Sequence, residues 1–427
     1  MTEEMLDDAA GQVNESLFTH VDDTAFLDSL DDPVRRVAEL QEIGPIVVGE
    51  PLDGGKAMRF GDLIFPNVMT SPDFLDAGVY AAVSWEAARA VFASPARFSS
   101  SANAAGSVLW GPNLSMMDPP VHTKFRTLLQ LGFTPRLVSS WDETILQPTL
   151  GAHFDAIKGK GRADLVRELT VFFPYKIVGR VAGFEHRDIG FVADAFHRIM
   201  NVNASPEAAM AAGADLRAYA ARLIEERRAR PTEDLVSVLT RAEVDGNPIP
   251  DDVFVGMVIH LMAGGIDTVY RTSSNIVQML LDNPEQFEMV KADRSLIPAV
   301  VEETLRLQGV ASMFPRRVME DTEEQGVRMA KGGVVFVMQA AANRDPTRWS
   351  NPHAFDLTRK NIAHMAFGNG PHACIGMHLA RTELRHFVTH LLDDLPNLRW
   401  DPDVKAPGIT GWTIRGTNSL PVVWDPR

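Results

Sequence analysis

The longest uncharged apolar stretch runs from Val253 to Ile266 and reads "VFVGMVIHLMAGGI". These fourteen residues, interrupted by His260, fall short of the roughly 20 needed to cross a bilayer, so they predict a buried helix and no membrane span. Apolar positions continue at helical spacing on both sides, which predicts one long helix from Asp252 to Leu281. It should end before "DNPEQ", whose proline biases the preceding residue away from helix. At about 1.5 Å per residue such a helix spans about 45 Å, enough to cross the whole body of a chain this size.

Other segments repeat the helical period. "DPPVHTKFRTLLQLGF" offers Asp118 as an N-cap and prolines in the first turn. "SPEAAMAAGADLRAYAARLIEERRARP" is amphipathic and stops at Pro231, and "IPAVVEETLRLQ" and "GMHLARTELRHFVTHLLDDL" are two further helices. Strand-like pieces lie near both ends of the chain, among them "PIVVGE", "GVYAAV" and "GGVVFVMQA". No internal repeat is visible. The pattern predicts a mainly α fold with small β-sheets (α+β), folded as one compact unit over residues 33–427.

Charge changes the picture at one end only. Residues 1–32 hold ten Asp or Glu and no Lys or Arg, which leaves −5 of the net −15 on the other 395 residues. That start reads as a solvated, flexible acidic leader, and it lacks the basic and apolar regions of a secretory signal. The body has no basic excess, so nucleic acid is not expected as a partner. A single cysteine excludes an intramolecular disulfide framework and suits a reducing cytoplasm.

That cysteine, Cys374, lies in "HMAFGNGPHACIGMHLAR". Glycines let the backbone approach a flat ligand closely, and a following helix aims free N–H groups at the sulfur, favouring the thiolate. Alone, the residue reads equally as a small buried hydrophobe. The spacing decides, because "FGNGPHACIG" matches Phe-Gly-x-Gly-x-His-x-Cys-x-Gly at all six fixed positions. Here the chain resembles the cytochrome P450 family of haem-thiolate monooxygenases. The resemblance makes Cys374 the iron ligand and His372 a contact of a haem propionate. It sets Phe367 beneath the haem, and Gly368 and Gly376 where backbone meets porphyrin. A thiolate pushes electron density onto the iron and favours O–O cleavage.

Four more motifs follow in family order. "GGIDT" places Gly264 and Gly265 inside the long helix, against helix propensity by about 1 kcal/mol each, as a groove for a small ligand would require. Asp267 and Thr268 then form an acid beside an alcohol, a proton relay by resemblance. Without it they read as a solvated carboxylate and a hydroxyl bonded back to the carbonyl of Gly264. Val269 stands where the family often has a second threonine.

"EETLR" sets Glu303 and Arg306 three apart on one helix face, a common surface pair that here resembles the family's structural lock. Ala354 replaces the usual third member, and Arg359 is the substitute to consider. "HTKFR" puts His122 and Arg126 on one face, either a basic surface patch or, by resemblance, a propionate site. In "PRRVMED" the resemblance favours Arg316 for the same role, with Arg317 as the alternative.

The resemblance implies a P450 fold with haem b between the long helix and the cysteine loop, and hydroxylation of an apolar substrate (terpenoid, steroid-like, aromatic or fatty) by O2. No dinucleotide fingerprint is present, so electrons should come from a ferredoxin and its NAD(P)H-dependent reductase. Lys124, Arg136, Lys360 and Arg385 could receive such an acidic partner or simply be solvated. Trp110, Ile259, Val310, Phe314 and Trp412 are expected to wall the pocket, and the protein is expected to be a cytoplasmic monomer. A peroxide-driven peroxygenase and a haem gas sensor are the competing readings.

Overall fold

The structure, a computed structural model, describes residues 33–67, 70–200, 205–360, 363–405 and 408–426. The acidic leader lies outside the described residues. Eight helices position the site: α1 Trp85–Ala93, α2 Val121–Leu131, α3 Phe172–Ala182, α4 Ile189–Met200, α5 Pro206–Ala229, α6 Asp251–Asp282, α7 Ile297–Leu307 and α8 Met377–Asp394. Shorter helical turns connect them.

Helix α6 is the axis of the helical part and packs against α3, α5, α7 and α8. Residues Val269 to Leu280 are buried without a break, so this half is wrapped on every side. The whole helix, unlike its uninterrupted apolar run, is long and apolar enough to cross a membrane, with a mean hydropathy of 1.6 over its best 18 residues. More than half of that window is buried inside the fold, which accounts for the apolar composition.

Seven strands form the main sheet: β1 Ile46–Leu52, β2 Ala57–Phe60, β3 Leu63–Pro66, β4 Val79–Ala82, β5 Phe98–Ser99, β6 Phe314–Val318 and β7 Val334–Val337. Their order is β3-β2-β1-β4-β7-β6-β5, and only β4 and β7 run parallel. These two central strands are buried throughout, and their side chains alternate between two cores. Val79, Ala81, Val334 and Phe336 join one cluster, while Tyr80, Ala82, Val335 and Val337 join the other. The sheet therefore joins the segment 46–99 to the segment 314–337, and β6 delivers Arg316 and Arg317 to opposite faces.

One cap differs from expectation. Helix α2 begins after Pro120 with no side-chain cap, and the Asp118 carboxylate turns away. It accepts hydrogen bonds from the Ser100 N–H at 2.9 Å and from the Ser99 hydroxyl. Pro120 is the residue that immediately precedes the helix, so Asp118 stands two places too early to cap it.

Candidate functional site

The cysteine loop is built by its glycines. Gly368 and Gly370 sit at φ +70, where a side chain would be strained. A Cβ at Gly370 would also meet the Phe92 carbonyl oxygen at 2.5 Å, so the loop rests directly on the end of α1. Gly376 needs no such freedom, since its φ is −85, but nothing lies within 4 Å of where a Cβ would stand. Between them the Cys374 N–H donates to the Phe367 carbonyl at 2.8 Å. The Cys374 side chain is exposed on one side, yet the surrounding protein pushes its thiol up. The Gly376 N–H, Arg126 and Arg381 pull the other way.

Sequence reasoning missed what braces this loop. The Glu302 carboxylate accepts from Arg381 at 2.7 and 2.8 Å and from His364 Nε2 at 3.1 Å. His364 Nδ1 accepts from the Ala366 N–H, so the neutral ring carries its proton on Nε2. Burial works against the charge on Glu302, but these donors hold it down to about 2. Arg381 then stands 4.7 Å over the Phe367 ring, fixing the side chain that precedes the loop's first glycine. "HLAR" and "VEET" carry no spacing signal that ties them together, because 79 residues separate the partners.

A corner of four cationic or potentially cationic groups adjoins the loop. His122 is 1 % exposed, and both of its ring nitrogens lack a hydrogen-bond partner. Its ring lies 4.1 Å from that of His372, whose Nε2 is 2.9 Å from the Ser100 hydroxyl. Arg126 donates to the Ala373 carbonyl at 2.6 Å, and among the described residues Arg316 donates only to the Pro315 carbonyl at 2.9 Å. Burial first, then Arg316, His122 and Arg126, drive His372 down to about 3, and burial brings Arg316 down to about 10. Asp118 is the acid that these groups feel, and its oxygens are occupied by Ser99 and Ser100. Such a corner asks for an anion. Arg317, one residue on, lies instead over the Phe74 ring at 4.2 Å.

On α6 the two glycines part company. Gly264 is exposed, and nothing lies within 4 Å of its absent Cβ. At Gly265 a Cβ would meet Val178 of α3 at 2.7 Å, so this glycine serves helix packing. The Thr268 hydroxyl donates to the Gly264 carbonyl at 2.7 Å. Asp267 is not simply solvated, because Arg271 one turn later donates to both its oxygens at 3.1 Å. That i, i+4 pair was visible in the sequence. Burial and the Asp267 charge raise the neighbouring Tyr175 phenol.

The five expected pocket residues differ in their surroundings. Trp110 stacks on Phe196 at 5.7 Å, and Phe314 is half-buried at the head of β6. Ile259 is fully buried in the helical core. Val310 is buried, and its carbonyl accepts from the Arg415 N–H at 2.7 Å. Trp412 is wholly enclosed in the sheet core, 5.3 Å from the Phe65 ring with its indole N–H on the Met313 sulfur.

The Glu303–Arg306 pair is no surface pair, since both side chains are fully buried. Arg306 grips both Glu303 oxygens at 2.8 and 2.7 Å and donates to the carbonyls of Asn343, Pro352 and Ala354. Arg359 supplies a third member, donating to Glu303 at 3.0 Å. Every charge in this cluster is answered from within.

Comparison with known proteins places this arrangement. The family model described as Cytochrome P450 matches residues 192–412. The steroid C26-monooxygenase of Mycobacterium tuberculosis is 34 % identical over 324 residues, covering 74 % of this chain and 81 % of that one. Among solved structures, CYP108D1 from Novosphingobium aromaticivorans superposes with a TM-score of 0.81 at 25 % identity, over 99 % of both chains. CYP109E1 from Bacillus megaterium, in complex with testosterone, gives 0.78 at 26 % identity over 92 % of this chain and 99 % of its own.

Proposed function

The chain belongs to the cytochrome P450 family, and we propose that it hydroxylates a small apolar substrate with electrons from a separate ferredoxin-type protein and its NAD(P)H-dependent reductase. It is an oxidoreductase, a cytochrome P450 monooxygenase with the fold of that family. The family implies haem, and the residues present fit it. His122 has two buried nitrogens without partners among the described residues, set beside His372 and two arginines, Arg126 and Arg316, that call for carboxylates. Gly264 and Gly376 leave room where a flat ring would pass, and the cysteine between Gly370 and Gly376 is open on one side.

When bound, haem supplies the activation of oxygen and the oxidation of the substrate. Cys374 would hold its iron, and His122, Arg126, Arg316 and His372 would hold its propionates. Phe367, braced by Arg381, would shield the sulfur from water. Above, the Thr268 hydroxyl keeps its proton on the Gly264 carbonyl, so it can turn that proton outward at the cost of one hydrogen bond. The Asp267 carboxylate, held by Arg271, would have to take a proton from solvent before passing one to Thr268, and Arg271 fixes the position from which it would do so.

The observation that carries this reading is the buried, unanswered cationic corner beside a lone cysteine. The steroid-named relative and the testosterone-bound neighbour support the steroid-like end of the substrate range. The lone cysteine and the chain's composition fit a cytoplasmic monomer. The test is the absorption spectrum of the dithionite-reduced protein under carbon monoxide. A strongly red-shifted Soret band is expected, and Cys374→Ala should abolish it in a folded, haem-loaded sample. Turnover with a surrogate ferredoxin, compared with peroxide alone, separates the monooxygenase from a peroxygenase and from a sensor that turns over with neither.

A further inference from the structure

Gly256, His260, Gly264 and Thr268 follow one another at four-residue steps along α6, and such a row runs down one face of a helix. The surroundings of the row are defined. At Gly256 a Cβ would meet the Pro112 carbonyl oxygen at 2.1 Å, so the 111–112 backbone lies directly on the helix there. At Gly264 the face is open. His260 stands between the covered glycine and the open one.

His260 has no evident structural task. Among the described residues it forms no hydrogen bond or ion pair, and it caps no helix end. It retains some accessibility, as do Leu261, Ala263 and Gly264 beside it, while Ile259 and Met262 are fully buried. Burial holds its ring at about 4, so at pH 7 it offers one N–H donor and one lone pair. The segment over the row is pinned. Arg217 of α5 donates to the carbonyls of Val108 and Leu109 at 2.7 and 2.8 Å, and Trp110 stacks on Phe196. The imidazole thus presents a polar group that is partly accessible, has no protein hydrogen-bond partner among the described residues, and lies one turn before the open face at Gly264.

Building on the reading of this chain as a P450 monooxygenase, we propose that His260 determines specificity by donating a hydrogen bond to a neutral oxygen, a ketone above all, on an otherwise apolar substrate. A carboxylate in that place would lose its hydration to an uncharged donor. An ammonium group would face the cationic corner, whose His372 already senses His260.

The haem-loaded protein is titrated with two pairs of probes, camphor against bornane and progesterone against pregnane, reading the low-to-high-spin shift of the Soret band. The wild type should bind at least one ketone about tenfold more tightly than its hydrocarbon, one net hydrogen bond. His260→Phe should erase that preference and leave hydrocarbon affinity within about twofold, and His260→Gln, which keeps a donor, should restore part of it. Equal affinities in the wild type, binding of no probe, or equal loss of both members in His260→Phe would overturn the proposal. So would a nitrogen-ligated Soret band in the ligand-free wild type that His260→Phe removes, since the ring would then be bound to iron. Loss of the red-shifted carbon monoxide band in the wild type would instead sink the P450 reading itself.

Discussion

The Glu303 lock and the His122 corner both bury arginine, and they do so by opposite means. In the lock, Arg306 and Arg359 face a carboxylate, and backbone carbonyls take up remaining donors. In the corner, among the described residues, Arg316 meets one carbonyl and the Phe92 ring, and His122 has no hydrogen-bond partner. Charge answered from within holds a fold together, whereas charge left unanswered holds a place for a guest. The two clusters should therefore respond differently to losing an arginine.

The largest effect belongs to the lock. Arg306→Leu leaves Glu303 buried with Arg359 and the Asp356 N–H to face it, and removing one partner of a buried pair costs about 3–5 kcal/mol. We expect little soluble protein, or a urea midpoint lowered accordingly with or without haem. A midpoint near that of the wild type would mean the lock is not structural.

A third buried group takes neither course. Glu383 of α8 is 2 % exposed, its Oε1 has no partner, and burial pushes its carboxyl up to about 8. It avoids the cost of buried charge by keeping its proton. The folded state then binds that proton more tightly than the unfolded chain, whose carboxyl titrates near 4.5. The stability tied to this proton is whole below about pH 4.5 and drains away as pH rises toward 8. The slope is at most about 1.4 kcal/mol per pH unit. Glu383→Gln should flatten that part of the stability profile, measured by urea unfolding at intervals from pH 4 to 8. Parallel profiles for the two proteins would show that Glu383 ionises freely.

Arg316→Leu tests the corner. Removing a charge that has no buried anion should leave the haem-free protein as stable as before, while haem dissociates about 10- to 100-fold faster into apomyoglobin. A loss of stability like that of Arg306→Leu would dissolve the contrast between the two clusters.

How much of this was legible depended on how far apart the partners lie in the chain. The cysteine loop, the Glu303–Arg306 spacing and the long helix are local patterns and could be read directly, and Arg359 was nameable only because Ala354 left a gap. The seven-stranded sheet was not legible, since β4 and β7 pair across some 250 residues. Nor was the Ser100–His372 contact, which spans 272. Trp412 was assigned to a pocket by resemblance alone, and Phe65 and Met313, its neighbours from distant strands and turns, enclose it in the sheet core instead. Asp118 looked like a cap because sequence shows an acid before a helix and not the serines that fold back onto it.

The adjacent glycines of α6 give the finest contrast, because sequence offered one explanation for both. Gly264 faces open space, so an alanine there should only recover helix propensity, raising the stability of the haem-free protein by about 1 kcal/mol. Gly265 touches Val178, and the same substitution must push that side chain aside, at a cost of about 1–3 kcal/mol that outweighs the gain. Thermal unfolding of the two variants should move in opposite directions from the wild type. If both fall, Gly264 is also a packing glycine, and the distal face owes its openness to something other than its missing side chain. If both rise, α3 yields to a methyl group, and the seam between α3 and α6 is looser than the 2.7 Å approach requires.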